Sequence, residues 1–284
     1  MHVWRGPALG REVRVALYGT DAERAAASLT AVAAEIERLE QIFSLHRNSS
    51  EISQLNRTGH VASPSPDLVE VLQAALIWRK RTGGAFDPTV QPLLLDAAAA
   101  RPVTRAAIAK AATEIEVSSN AIRLVPNASV TLNGIAQGRI ADRVTEILAR
   151  HGFGDIVVDA GELRLPGKSR RAVGIPAAKA AVSVAEVAIA TSEPKSLVFD
   201  QPTFRHHLID PHTGESPRYW HSISVFAPTA EMADALSTAF AVLPHEAVAD
   251  MVVSFGDVAI IGSDWKGRIR RFGDLAMLGG SQRG

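Results

Sequence analysis

The stretch LNGIAQGR at residues 132–139 reads as the end of a strand, a turn and the beginning of a helix. Two glycines, Gly134 and Gly138, would let the backbone come close to a ligand. The backbone N–H groups at the positive end of the helix suit a phosphate. An ordinary strand-to-helix turn with glycines for packing accounts for the same pattern, so these residues alone leave both interpretations open.

Outward from this turn, strands and helices follow one another without strict alternation. This order favours an α+β fold with mixed sheets and packed helices over a doubly wound parallel sheet. The length fits a single domain over residues 1–284, or two closely packed lobes. Apolar periodicity predicts strands at 12–18, 122–124, 130–132, 156–158, 223–225, 258–261 and 268–272, and helices after Thr20, after Ser65, over 105–113, over 138–150 and over 229–242.

Local signals refine three of these expectations. Thr20 and Glu23 have the spacing of a capping box, which predicts Thr20 as an N-cap. Ser65 and Thr229 are suited to cap the helices that follow them. Residues 164–179 are the most irregular part of the chain and are predicted to form a loop or a boundary.

Asp234 and Thr238 are four residues apart on a predicted helix, so their side chains share one face. A carboxylate and a hydroxyl are hard oxygen ligands, and Mg²⁺ usually completes its octahedron with waters and substrate phosphates. A solvated aspartate and a threonine bonded to its own helix would give the same spacing. The pair by itself therefore does not decide between a metal site and an exposed helix face.

Two further segments combine turn residues with side chains that could contact a ligand. Residues 82–90, TGGAFDPTV, form a shaped loop after a helix, which could line a ring-binding pocket or only end the helix. Residues 206–214, HHLIDPHTG, combine a strand with an Asp-Pro turn. Adjacent histidines on a strand point to opposite sides, so His206 and His207 are not expected to share a metal, although one could act as a general base.

The composition limits the classes of partner. Lysine plus arginine equals aspartate plus glutamate, 30 against 30, so no general attraction to nucleic acid is expected. The absence of cysteine excludes disulfides and thiolate sites. No apolar run approaches the length of a membrane span, and no signal peptide is recognised. The sequence as written predicts a cytoplasmic protein, or a periplasmic one if the chain is a mature or trimmed form.

Taken together and in order, these segments resemble the ApbE-like FAD:protein FMN transferase family. The resemblance spans nearly the whole chain, and five ordered segments are far more specific than any one of them. The matching stretches are FSLHRNSSEISQLN from Phe43, TGGAFDPTVQPL from Thr82, LNGIAQGRIADR from Leu132, HLIDPHTG from His207 and APTAEMADALSTAFAVL from Ala227.

The resemblance implies an enzyme that binds FAD with Mg²⁺, transfers FMN to a threonine or serine of an acceptor protein, and releases AMP. By motif, the cation ligands would be the backbone carbonyl of Ala136 and the side chains of Asp234 and Thr238. His207 or Asp210 is the candidate for accepting the hydroxyl proton. The flavin nucleotide would be held by Asp87, Thr89, Gly134, Gln137, Glu162 and His207.

The chain departs from the family pattern at three places. Gln137 stands where a lysine is usual, and Arg139 is a candidate to replace that positive charge. Ala160 stands where the first glycine of a Gly-Gly-acidic turn is usual, and residues 191–193, Thr-Ser-Glu, lack the customary glycine-aspartate continuation. These departures keep two alternatives open, a Mg²⁺-dependent FAD hydrolase that releases FMN and AMP, and a flavin-binding protein without turnover.

Overall fold

A computed structural model describes residues 1–111 and 114–278. The helices are α1 (Ala22–Phe43), α2 (Glu51–Thr58), α3 (Pro66–Arg81), α4 (Gln91–Ala98), α5 (Arg105–Ala111), α6 (Ala136–Arg150), α7 (Ala230–Ala241) and α8 (His245–Val252). The strands are β1 (His2–Ala8), β2 (Arg11–Leu17), β3 (His60–Ala62), β4 (Ile115–Val117), β5 (Ala121–Leu124), β6 (Ile156–Asp159), β7 (Leu163–Leu165), β8 (Arg171–Ile175), β9 (Ala180–Val184), β10 (Val187–Ser192), β11 (Val198–Asp200), β12 (Arg205–His206), β13 (Ser222–Ala227), β14 (Ala259–Ser263) and β15 (Ile269–Gly273). The predicted end of the third helix, Thr113, lies outside the described residues.

An eight-stranded sheet forms the centre of the fold, in the order β1-β2-β6-β7-β10-β13-β14-β15. Every neighbouring pair in it is antiparallel. Smaller sheets have the orders β3-β5-β4, β8-β9 and β11-β12. The α+β prediction is confirmed.

Both faces of the central sheet are covered. In β13, Ile223 and Val225 belong to the main core, which also contains the buried faces of α1, α6 and α7. Phe226, which follows Val225, belongs to a second core that the β8-β9 hairpin covers. All six residues of β13 are accordingly buried, including Ser222 and Ser224.

The prediction that Thr20 is the N-cap of the first helix is wrong. The N-cap of α1 is Asp21, whose carboxylate accepts the backbone N–H of Arg24 at 2.8 Å. Aspartate caps a helix at least as well as threonine, so the helix begins one residue later. Ser65 and Thr229 cap α3 and α7, as predicted.

The prediction of a strand at 130–132 is wrong, because these residues form no strand and join no sheet. The side-chain amide of Asn56 forms hydrogen bonds with both backbone groups of Val130, accepting from its N–H at 2.7 Å and donating to its carbonyl at 2.8 Å. The N–H of Thr131 donates to the carbonyl of Pro88 at 2.8 Å. A side chain and a loop therefore satisfy the hydrogen bonds that a neighbouring strand would otherwise make.

The prediction of a loop or a boundary at 164–179 is wrong for Arg164 and Leu165, which belong to β7, and for most of its second half. Arg171–Ile175 is β8, which pairs with β9 through a turn at Pro176–Ala178. Exposed and half-buried residues alternate along β8, so apolar periodicity was too weak to indicate a strand. None of the helices in the described part of the chain has the length and hydropathy of a membrane span.

Candidate functional site

A cleft of about 480 Å³ lies where the β1-β2 turn, the loop before α4, the residues before α6 and the face of α7 meet. It brings together most of the predicted site residues. Those that line it are Asp87, Gly134, Gln137, Glu162, His207, Asp234 and Thr238. A second groove of about 520 Å³ is wide open to solvent and contains none of them.

The helices α6 and α7 hold the centre of this cleft, each through a carboxylate that binds the first turn of the other helix. The carboxylate of Asp142, on α6, accepts the N–H groups of Ala230 and Glu231 at 3.0 and 2.9 Å and so caps α7. In return, the carboxylate of Asp234 accepts the N–H of Gly138 at 3.1 Å. A Cβ on Gly138 would overlap the carbonyl of Ala230, so the close approach of the two helices requires glycine there.

Thr238 lies one turn after Asp234 and lines the cleft beside the turn at Gly134. A Cβ on Gly134 would stand 2.7 Å from Oγ1 of Thr238, so this glycine leaves room for the hydroxyl. Ala136 is buried in the first turn of α6, between Gly134 and Gly138. The backbone from Gly134 to Gly138 thus runs directly beside both side chains predicted to bind a cation.

Two buried carboxylates, those of Glu162 and Asp234, dominate the electrostatics of the site. Burial raises the pKa of Asp234 to about 7, although the hydrogen bond from Gly138 and the charge of Arg11 oppose this effect. Burial, and then the charge of Asp234, raise the pKa of Glu162 well above its usual range. Oε2 of Glu162 has no hydrogen-bond partner among the described residues.

These oxygens fit a hard divalent cation. A carboxylate, a hydroxyl, an adjacent backbone segment and an unpartnered carboxylate oxygen are the types of ligand that Mg²⁺ takes, and the cation would offset the cost of two buried charges. No group of three His, Asp or Glu residues within residues 1–111 and 114–278 could hold a metal by itself. A cation here would therefore depend on Thr238 and backbone oxygens as well as on carboxylates.

Asp87 and Thr89 act as one unit at the wall of the cleft. One carboxylate oxygen of Asp87 accepts the backbone N–H and the hydroxyl of Thr89 at 2.8 and 2.6 Å, and the other pairs with Arg79 at 3.0 Å. Burial raises the pKa of Asp87, against these hydrogen bonds and the charge of Arg79. Thr89 is fully buried, so it orients Asp87 and does not line the cleft.

Gln137 lies at the junction of α6 with the turn between β6 and β7. Both polar atoms of its side chain are about 3.0 Å from where a Cβ of Gly161 would stand. The φ of Gly161 is +92°, a backbone conformation that favours glycine. The turn that presents Glu162 therefore packs directly on the Gln137 amide.

The two predicted proton acceptors lie in different surroundings. His207 lines the cleft, and its Nδ1 lies 3.2 Å from the carbonyl of Leu197. Because a carbonyl only accepts, Nδ1 carries the proton and Nε2 is left as an acceptor. Burial lowers the pKa of His207, which keeps the ring neutral.

Asp210 is instead bonded within its own turn. Its carboxylate accepts from the N–H of His212 at 2.9 Å and from the hydroxyl of Thr213 at 3.1 Å, and it does not line the cleft. His206 is fully buried, and its Nε2 donates to the carbonyl of Pro217 at 3.1 Å. The strand geometry behind the prediction that the two histidines point to opposite sides does not apply, because only His206 lies on β12 and the two ring centroids are 6.5 Å apart.

Arg139 does not supply charge to the cleft. It forms ion pairs with Glu70 and Glu231 and is not a lining residue. The arginine that does line the cleft is Arg11, which the sequence interpretation missed together with His46. The signal was the dipeptide Leu9-Gly10, which forms a two-residue hairpin turn before Arg11.

A sequence model described as the ApbE family matches residues 9–261 of the chain. The chain belongs to the ApbE family. The prediction of this family from the sequence motifs is confirmed, and the matched residues include every ApbE-like segment quoted above.

Curated ApbE relatives named "FAD:protein FMN transferase" match most of the chain. The protein of Treponema pallidum (strain Nichols) is 29% identical over 283 residues, covering 84% of this chain and 77% of its own. The protein of Salmonella typhimurium (strain LT2) is 26% identical, covering 88% of this chain and 81% of its own.

Solved structures of ApbE proteins have the same fold. The apo form of the flavinyl transferase ApbE from Pseudomonas stutzeri superposes with a TM-score of 0.83 at 22% identity, covering 98% of this chain and 97% of that one. The ApbE protein from Thermotoga maritima gives a TM-score of 0.83 at 23% identity, covering 99% of each chain.

Proposed function

We propose that this chain transfers FMN from FAD to the hydroxyl of a threonine or serine on an acceptor protein, with Mg²⁺, and releases AMP. The observation that carries the proposal is the convergence of Asp234, Thr238 and the Gly134–Gly138 backbone on one cleft. Membership of the ApbE family and the names of the curated relatives support the coarser statement that the chain is an FAD:protein FMN transferase.

The cation would be held by the carbonyl of Ala136, the carboxylate of Asp234 and the hydroxyl of Thr238. When bound, Mg²⁺ supplies positive charge to the phosphate oxygens. The N–H of Gly138 fixes one oxygen of Asp234. This fixes the orientation of the carboxylate before a ligand arrives.

The flavin nucleotide would contact the remaining walls of the cleft. Gly134 leaves the backbone open to the phosphates, and Gln137 and Glu162 offer polar groups next to it. Asp87, held by Thr89, and His207 line the same cleft. This arrangement would leave the bond between the two phosphates close to Asp234.

In the transfer, the acceptor oxygen forms a bond to the phosphorus of the FMN half, and the bond from that phosphorus to the bridging oxygen breaks. The bridging oxygen and its electron pair leave with AMP. The hydroxyl proton goes to Nε2 of His207, which is an acceptor while Nδ1 donates to Leu197. Asp210 is less suited to accept it, because its carboxylate is already bonded within its turn.

Incubation with FAD, Mg²⁺ and a candidate acceptor protein tests the proposal. The mass of a covalent FMN on an acceptor threonine or serine, with AMP in equal amount, is the expected result. Free FMN and AMP without that mass would instead establish FAD hydrolysis. Unchanged FAD with bound flavin would establish a binding protein without turnover.

A further inference from the structure

The charge of the cleft is unbalanced. Its lining contains the carboxylates of Asp87, Glu162, Glu193 and Asp234. Against these, Arg11 is the single arginine or lysine among the described residues that line it. A dianionic diphosphate entering such a cleft needs positive charge beyond what one divalent cation provides.

The backbone holds Arg11 at this position. Ala8 pairs with Arg11 across the β1-β2 hairpin, and the turn between them has φ of +49° at Leu9 and +79° at Gly10. The N–H of Leu9 donates to the carboxylate of Glu40 on α1. A Cβ on Gly10 would stand 3.1 Å from Nε2 of His46, so the turn packs tightly against the segment that follows α1.

The other arginines near the site are engaged elsewhere. Arg79 pairs with Asp87 behind the wall of the cleft, and Arg139 pairs with Glu70 and Glu231. The side chain of Arg11 is exposed and forms no ion pair with a described residue. Its side chain lines the same cleft as those of Glu162, His207 and Asp234.

We propose that Arg11 binds the diphosphate of the flavin dinucleotide at the mouth of the cleft, an inference that rests on the proposed function. A guanidinium presents several N–H donors in a planar fork that matches phosphate oxygens. Arg11 thereby supplies the positive charge that Gln137 and the ion-paired Arg139 do not. It is a substrate-binding residue whose contact is with phosphate and not with the flavin ring.

The variants Arg11→Gln and Arg11→Lys test this, with Arg5→Gln as the matched control. Arg5 lies on the partner strand β1, pairs with Glu12 in solvent and does not line the cleft. Affinities for FAD, ADP and riboflavin are measured with Mg²⁺ present, by flavin fluorescence and calorimetry. Melting temperatures of all variants confirm that they fold.

We expect Arg11→Gln to weaken FAD and ADP binding by about 10- to 100-fold, the range for a charge-assisted hydrogen bond. Riboflavin affinity should not change, Arg11→Lys should recover part of the loss, and Arg5→Gln should bind like the unaltered protein. The FAD difference should shrink as salt is added.

Equal FAD affinities for Arg11→Gln and the unaltered protein would overturn this inference and leave the proposed function standing. Equal losses for FAD and riboflavin would also overturn it, because they would show a general effect on the cleft. If the unaltered protein bound no FAD, the proposed function and this inference would fail together.

Discussion

Asp234 of α7 accepts a hydrogen bond at 3.1 Å from the N–H of Gly138 in the first turn of α6, across 96 positions of the chain. This contact joins the two motifs that the sequence analysis treated separately. It also places a buried carboxylate at the positive end of a helix, which lowers its pKa in part but does not cancel the effect of burial. Burying this charged carboxylate therefore costs free energy, and a bound cation would lower that cost.

Asp234→Asn should stabilise the protein when no divalent cation is present. The folded pKa of about 7 exceeds the ordinary value of 3.8, so the folded state favours the protonated acid. The stabilisation of the folded state by the protonated Asp234 is fully present below the ordinary pKa and is lost as the pH rises through about 7. Asparagine keeps the acceptor for Gly138 without the charge, so its advantage in melting temperature in EDTA should grow between about pH 5 and pH 8.

Adding Mg²⁺ should reverse the order of the two proteins. We expect it to raise the melting temperature of the unaltered protein by mass action, to leave Asp234→Asn unchanged, and to support no FMN transfer by the variant. Asp234→Ala should lose the same activity and remain folded. A lower melting temperature for Asp234→Asn in EDTA at about pH 8 would show that the buried charge is stabilised without a cation.

Gly134→Ala should impair the site more than the fold. The new Cβ would stand 2.7 Å from Oγ1 and 3.0 Å from Cγ2 of Thr238, so the hydroxyl must move. We expect at least about a tenfold loss of Mg²⁺-dependent turnover, equivalent to about 1.4 kcal/mol of transition-state stabilisation. Steady-state rates across a Mg²⁺ titration measure it.

The matched control is Gly154→Ala, where a Cβ meets no atom within 4 Å. Its rates and melting temperature should equal those of the unaltered protein. Full turnover by Gly134→Ala at low Mg²⁺ would contradict a role for the Thr238 hydroxyl.

His207→Gln should slow transfer by about 10²- to 10⁴-fold, the range for loss of a general base. Burial lowers the pKa of His207, so the neutral ring should persist below the ordinary histidine value. With Mg²⁺ at saturating concentration, so that Asp234 stays ionised, the rate of the unaltered protein should stay level as the pH falls through about 6.5 and decline only in more acidic solution. The pH profile of single-turnover FMN transfer measures both effects.

His245→Gln provides the control, because His245 lies on α8 and bonds the carbonyl of Tyr219 outside the cleft. If His207→Gln reacted at the full rate while Asp210→Asn did not, the proton acceptor would be Asp210.

Local patterns predicted much of the site. Asp234 and Thr238 share a helix face because their spacing fixes it, and the caps at Ser65 and Thr229 depend only on neighbouring residues. The family motifs identified the segments that surround the cleft, from Asp87 to His207.

Contacts between distant residues were not predictable in this way. The Asn56 side chain makes the two hydrogen bonds to the Val130 backbone that a neighbouring strand would otherwise make, and Asp142 caps a helix 88 positions away. Arg11 lines the cleft directly after the β1-β2 turn, which bonds to Glu40 on α1. No short pattern contains both partners of such a pair, so tertiary structure alone reveals them.

The most direct measurement is a crystal structure of the protein with FAD and Mn²⁺, which can replace Mg²⁺ and is located by its anomalous scattering. The account predicts one ion about 2.0–2.3 Å from the carboxylate of Asp234, the hydroxyl of Thr238 and the carbonyl of Ala136, in contact with the diphosphate. An ion bound to the diphosphate but remote from Asp234 and Thr238 would contradict it.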